Sequence, residues 1–186
     1  MMTSLPNLLT LSRILVIPLV VATFYLPGEW PRWTACALFG LAAVTDWFDG
    51  YLARSRNQVS AFGRFLDPIA DKLLVSAILL MLSAFDRLYQ ISILPALVIL
   101  LREILVSGLR EYLAELHVGM PVSRLAKWKT AFQMIALPIL LVGDAGPLWL
   151  PTRLIGESAL WIAAVLTLIT GFDYLKAGLR HMGEEA

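Results

Sequence analysis

Apolar residues fill long stretches of this chain, and short polar passages punctuate them at 27–33, 55–63, 86–90, 117–121 and 144–151. The first apolar run, about 14–26, is preceded by a segment in which Leu5, Leu8, Leu9 and Leu11 stand among polar residues. That spacing predicts a short amphipathic helix on the membrane surface, its leucines toward lipid, ahead of a first transmembrane helix. Proline and glycine with flanking tryptophans at 27–33 read as an interfacial turn. Further helices are predicted over 34–54, 64–85, 93–116, 124–142 and 153–179. Each run is near the ~20 residues that a bilayer core demands. The expected fold is therefore all-α, a polytopic bundle of six transmembrane helices with a short N-terminal amphipathic interfacial helix, forming one domain over 1–186. Pro68 removes a backbone donor inside the third helix and is expected to kink it beside Asp67.

Composition agrees with that pattern. A chain of 186 residues that is 59% hydrophobic, with mean hydropathy +0.75, is too apolar for an ordinary soluble domain. The single cysteine, Cys36, has no partner for a disulfide or a thiolate metal site. A net charge of +1 and the lack of a basic tail give no reason to expect a nucleic-acid partner. Arg13 is the one cation ahead of the first run and no small-x-small cleavage site follows, so that run is expected to be retained as a helix. Cations then orient the bundle. Arg54, Arg56, Arg64, Arg124, Lys127, Lys129, Lys176 and Arg180 fall on one side, and only Arg32, Arg87 and Arg153 on the other. The positive-inside rule places the richer side in the cytoplasm.

Charge inside the apolar helices is where chemistry enters. On the second helix Asp46, Asp49, Gly50, Ala53 and Arg54 stand at i, i+3, i+4, i+7 and i+8, and on the third Gly63, Asp67 and Asp71 stand at i, i+4 and i+8. Each set shares a helical face. Four carboxylates in a poor solvent for charge need counter-ions. Carboxylate oxygens without His or Cys suit Mg²⁺, Mn²⁺ or Ca²⁺, and two such ions would balance four acids while leaving positions open for an anionic substrate. Gly50, Ala53 and Gly63 keep those faces free of bulk, so that a ligand or helix can approach the backbone. The competing reading is of acids in exposed loops or of paired intramembrane charges.

The pattern Asp46-x2-Asp49-Gly50-x2-Ala53-Arg54-x8-Gly63-x3-Asp67-x3-Asp71 resembles the signature of the CDP-alcohol phosphotransferase family, with every fixed position filled. Residues 7–13, 65–72, 102–111 and 127–134 are similar to the branch of that family that forms phosphatidylglycerophosphate. The likeness spans the chain to about residue 142. The resemblance implies an integral enzyme of the bacterial inner membrane, a homodimer requiring Mg²⁺ or Mn²⁺. It would transfer a phosphatidyl group from CDP-diacylglycerol to sn-glycerol 3-phosphate and release CMP at the cytoplasmic face. It also implies roles: Asp46, Asp49, Asp67 and Asp71 as metal ligands, with Asp71 also the catalytic base. Asp46, Asp49, Gly50, Ala53, Arg54, Gly63 and Asp67 would bind the CDP-lipid, Arg54 assisting the nucleotide phosphate.

A second constellation is cationic. Arg102, Glu103 and Arg110 lie in a span that should exclude charge, and Lys127 and Lys129 open the next helix. Arg110, Lys127 and Lys129 are expected to bind the acceptor's phosphate, whereas Arg102 and Glu103 could equally form a structural salt bridge to a neighbouring helix. Two other functions share some of these features. A synthase using inositol phosphate, serine or a phosphatidyl lipid as acceptor would carry the same acidic signature. A metal transporter would need a polar path through both membrane halves, and the opposite half lacks one.

Overall fold

The computed structural model describes residues 5–55, 61–115 and 123–184, and its regular elements are all helical. In chain order they are α1 (Leu5–Phe24), α2 (Trp30–Ser55), α3 (Ala61–Ala84), α4 (Ile93–Glu115), α5 (Arg124–Val142) and α6 (Thr152–Glu184). The expected all-α class and its six long helices are present. The N-terminus differs from expectation. The segment predicted as a separate interfacial helix and the apolar run after it form one continuous α1, because nothing between Leu11 and Ile14 breaks a helix and Arg13 is buried rather than left at a surface. Pro27 and Gly28 then end the run, with Gly28 at φ +94°, a left-handed conformation that glycine adopts without a Cβ clash. α2 starts at Trp30 rather than residue 34, since Pro31 in the first turn forfeits no intrahelical bond. Pro68 is carried inside α3. The break predicted at 117–121 lies outside the described residues.

Among the described residues, three stretches are long and apolar enough to cross a membrane: Gln90–Ala114, Arg124–Ala145 and Thr152–Leu179. Leu8–Phe24 is a shorter apolar helix. α2 and α3 fall below that apolarity because Asp46, Asp49 and Arg54 weight the end of one, and Arg64, Asp67, Asp71 and Lys72 the start of the other. Leu101, Ile104 and Leu105 on α4 and Val165, Leu168 and Phe172 on α6 are exposed. Apolar surface of this kind suits lipid better than water.

The chain divides into two units. The first comprises Met1–Arg87 and Pro138–Arg153. Here α1 packs against both α2 and α3, around buried Val20, Phe24, Phe39, Leu74, Ile78 and Leu82. The end of α3 is closed by bonds from Arg87 N–H to the Leu82 carbonyl (2.9 Å) and from Asp86 N–H to that of Ser83 (3.4 Å). Asp86 sits between them at φ 53°, filling the left-handed position that usually takes glycine after a helix. Phe85 meets Phe24 and Tyr25 at centroid separations of 5.6 and 5.0 Å, and the Arg87 guanidinium lies 4.2 Å over the Phe24 ring. Burial, then the nearby Arg32 charge, lower the Arg87 pKa to about 10, which leaves it charged at neutral pH. After α5, the Thr152 hydroxyl donates to the Gly143 carbonyl at 2.6 Å. A Cβ at Gly146 would come within 2.5 Å of Thr152 Cγ2, so a larger residue there would have to displace the Thr152 side chain.

The second unit comprises Leu88–Leu137 and Leu154–Ala186. Glu157 on α6 is buried and accepts the Tyr89 N–H at 2.8 Å and the Ser92 hydroxyl at 2.6 Å. It thereby satisfies a backbone donor that the turn before α4 would otherwise leave unpaired. Along the same pair of helices, Gly171 and Gly178 receive Arg102 and Leu109, each pair seven residues apart. A Cβ on either glycine would come within 2.9 or 2.7 Å of that side chain. Matching steps in the same chain direction make α4 and α6 parallel neighbours, and the small residues let them approach closely.

Candidate active site

α1 brings Thr10 and Arg13 to one face, three residues apart. Asp46 comes from α2, and Asp67 and Asp71, four apart, from α3. These five side chains meet. Arg13 donates through Nη1 to Oδ1 of Asp46 and, at 2.5 Å, to Oδ1 of Asp71, while its Nη2 reaches Oδ1 of Asp67 at 3.2 Å. The Thr10 hydroxyl donates to that same Asp67 oxygen. The Arg13 side chain is 1% exposed, whereas those of Asp46, Asp67 and Asp71 are 46%, 44% and 52% exposed. Each carboxylate therefore gives Oδ1 to the buried guanidinium while about half of its side-chain surface stays open.

Among the described side chains of this cluster, three carboxylates against one guanidinium leave two negative charges, and the half-exposed acids offer only hard oxygen donors. That set fits a divalent ion such as Mg²⁺ or Mn²⁺. Among the described residues no three acidic, histidine or cysteine side chains are already drawn together tightly enough to hold a metal ion. Arg13 stands between the acids instead. The fourth predicted ligand, Asp49, lies on α2, and its side chain, with those of Ala53 and Arg54, falls outside the described residues. Gly50 is in the same part of α2. Gly63 is buried near the start of α3.

The cations predicted to bind an acceptor are placed differently. Lys129 is buried and donates to Glu103 from the adjoining turns of α5 and α4, their side chains 7% and 17% exposed. The structural pairing foreseen for Glu103 is thus present, and Lys129 is its partner. Lys127 is exposed, as expected for residues two apart on a helix, which do not share a face. Arg110 is exposed and donates to the Tyr174 hydroxyl at 3.1 Å, its guanidinium 5.0 Å from that ring's centroid. Arg102 donates to the Thr170 hydroxyl of α6 at 3.1 Å and also lies 3.7 Å from Glu103 on its own helix, so Glu103 is shared between Lys129 and Arg102.

The family profile described as CDP-alcohol phosphatidyltransferase matches residues 3–169, a span that includes all of these side chains except that of Tyr174 and Thr170. The chain belongs to the CDP-alcohol phosphatidyltransferase family. The match runs into α6, beyond residue 142 where the motif-level likeness ended. The chain is 52% identical over 176 residues to a protein of Rickettsia typhi, covering 95% of this chain and 97% of that one. It is 46% identical over 184 residues to a protein of Pseudomonas fluorescens, covering 96% and 92%. It is 40% identical over 217 residues to a protein of Cereibacter sphaeroides, covering 98% of each. All three are named CDP-diacylglycerol–glycerol-3-phosphate 3-phosphatidyltransferase. Enzymes of the CDP-alcohol phosphatidyltransferase family generally depend on a divalent metal, in keeping with the half-exposed carboxylates of Asp46, Asp67 and Asp71.

Sequence reasoning assigned no role at this site to Thr10 or Arg13. A signal was available: an arginine within the first apolar helix is costly unless an acid pairs with it, and three acids in nearby helices had no protein counter-ion assigned.

Proposed function

We propose that this chain transfers the phosphatidyl group of CDP-diacylglycerol to sn-glycerol 3-phosphate, giving phosphatidylglycerophosphate and CMP. The observation that carries the reading is the convergence of Asp46, Asp67 and Asp71 on Arg13 with all three acids about half exposed, in a family member whose relatives bear that activity in their names. Asp46, Asp49, Asp67 and Asp71 would hold two Mg²⁺ or Mn²⁺ ions. Bound there, the metal would screen the donor's diphosphate and take up charge as CMP departs.

The remaining work falls to the chain's own groups. Arg54, one turn past Gly50, assists the nucleotide phosphate, and Gly50, Ala53 and Gly63 leave room for cytidine. Asp71 accepts the proton of the attacking hydroxyl through the oxygen that Arg13 does not engage. No Ser, Cys or His belongs to the signature, so the hydroxyl attacks phosphorus directly, without a phosphatidyl-enzyme. Arg110 and Lys127, both exposed, bind the acceptor's phosphate, and Lys129 contributes only as far as Glu103 releases it. Six helices span the bacterial inner membrane with the acids at the cytoplasmic side, and the chain works as a homodimer.

The test is incubation of purified protein with CDP-diacylglycerol, Mg²⁺ and one alcohol at a time. sn-Glycerol 3-phosphate alone should release CMP with formation of phosphatidylglycerophosphate. Release with inositol phosphate or serine instead would move the chain to another acceptor class, and release with none would overturn the reading.

A further inference from the structure

We propose that Arg13, seated beside Thr10, is a positioning residue that keeps Asp46, Asp67 and Asp71 assembled and partly neutralised before a divalent ion arrives. The proposal rests on reading these acids as metal ligands.

Stoichiometry and exposure together argue for this role over an ordinary ion pair. A simple buried pair closes both partners off, because each loses its hydration and must be repaid by the other. Here only the cation is sealed, at 1% exposure, while all three acids remain close to half exposed. One guanidinium is shared among carboxylates from two helices, using Nη1 for Asp46 and Asp71 and Nη2 for Asp67. A planar fork with several fixed donors can do this, whereas a lysine ammonium offers a point charge on a flexible stem. Thr10 adds a neutral donor to the same Asp67 oxygen and is itself 1% exposed. α1 thus forms the inner wall of the site. Without Arg13 the three acids would lose the guanidinium that joins them and repel one another, and they would depend on the divalent ion for assembly.

The prediction follows from that dependence. Wild type, Arg13→Gln, Arg13→Lys and Thr10→Val are purified, stripped with chelator, and unfolded thermally with and without saturating Mn²⁺, whose binding is followed by electron paramagnetic resonance. Arg13→Gln should lower the metal-free Tm by about 5 °C or more, and Mn²⁺ should restore most of the loss, so that its stabilising increment exceeds that of wild type. Arg13→Lys should recover part of the difference, and Thr10→Val should shift it in the same direction by less. Equal losses with and without Mn²⁺ would make Arg13 a packing residue and overturn the proposal, as would an unchanged metal-free Tm. If Arg13→Gln does not fold, Thr10→Val decides by the same comparison. Absence of Mn²⁺ binding to wild type would remove the metal reading itself, a result distinct from either. None of these readouts requires phosphatidyl transfer, so the proposed reaction stands or falls separately.

Discussion

The two charged clusters of this protein solve the same problem in opposite ways. In the first unit one buried arginine faces three acids that stay close to half exposed. In the second, Glu103 is shared by Lys129 and Arg102, and all three are withdrawn, at 17%, 7% and 11% exposure; Arg102 also donates to Thr170 and lies 5.5 Å from the Tyr174 ring centroid. A cluster whose cations and acid are all withdrawn has little left to offer a ligand. A set sealed on its cationic side and open on its anionic side retains carboxylate surface for something that arrives from outside. The open cluster is therefore the one to which chemistry is assigned, and the closed one reads first as a device for joining α4 to α5.

The sharpest way to break the comparison is to change the open acids. Asp46→Asn, Asp67→Asn and Asp71→Asn preserve volume but remove charge, and each should lower turnover to about one hundredth of wild type or less, measured as CMP release. Near-normal rates in any two would mean that the open cluster is not catalytic. Asp71→Asn should also keep measurable CDP-diacylglycerol binding, because its added role concerns the acceptor's proton.

The closed pair should respond in stability instead. Glu103→Gln leaves Lys129 buried without its acid, at a cost of about 3–5 kcal/mol, read in thermal or denaturant unfolding. The double change of Glu103→Gln with Lys129→Met should recover much of that loss. A variant of Lys129 that folds normally but loses affinity for the acceptor would restore it to the phosphate site that its sequence position suggested.

The smallest effects belong to the exposed cations. Arg110→Gln and Lys127→Gln should each raise KM for sn-glycerol 3-phosphate about tenfold, the worth of one charge-assisted hydrogen bond. KM for CDP-diacylglycerol should change little. Equal effects on both substrates would show that these residues shape the fold or the topology.

Much of this was determined by the sequence alone, because its signals are local. Helical period and long apolar runs define six helices whatever their packing, and the fixed spacing of Asp46, Asp49, Asp67 and Asp71 places the acids on two faces and names the family. Pair formation is not local. Whether α1 would lie flat on a membrane or continue as one helix depended on what Arg13 could reach, and its partners are 33, 54 and 58 positions away along the chain. The same holds for Lys129, which the sequence groups with Lys127 and the tertiary structure gives to Glu103, 26 residues distant. Sequence spacing specifies which side chains share a helix face. Only packing decides which charges on different faces meet, because the cost of burying an ion is offset by a partner in space rather than by a neighbour in the chain.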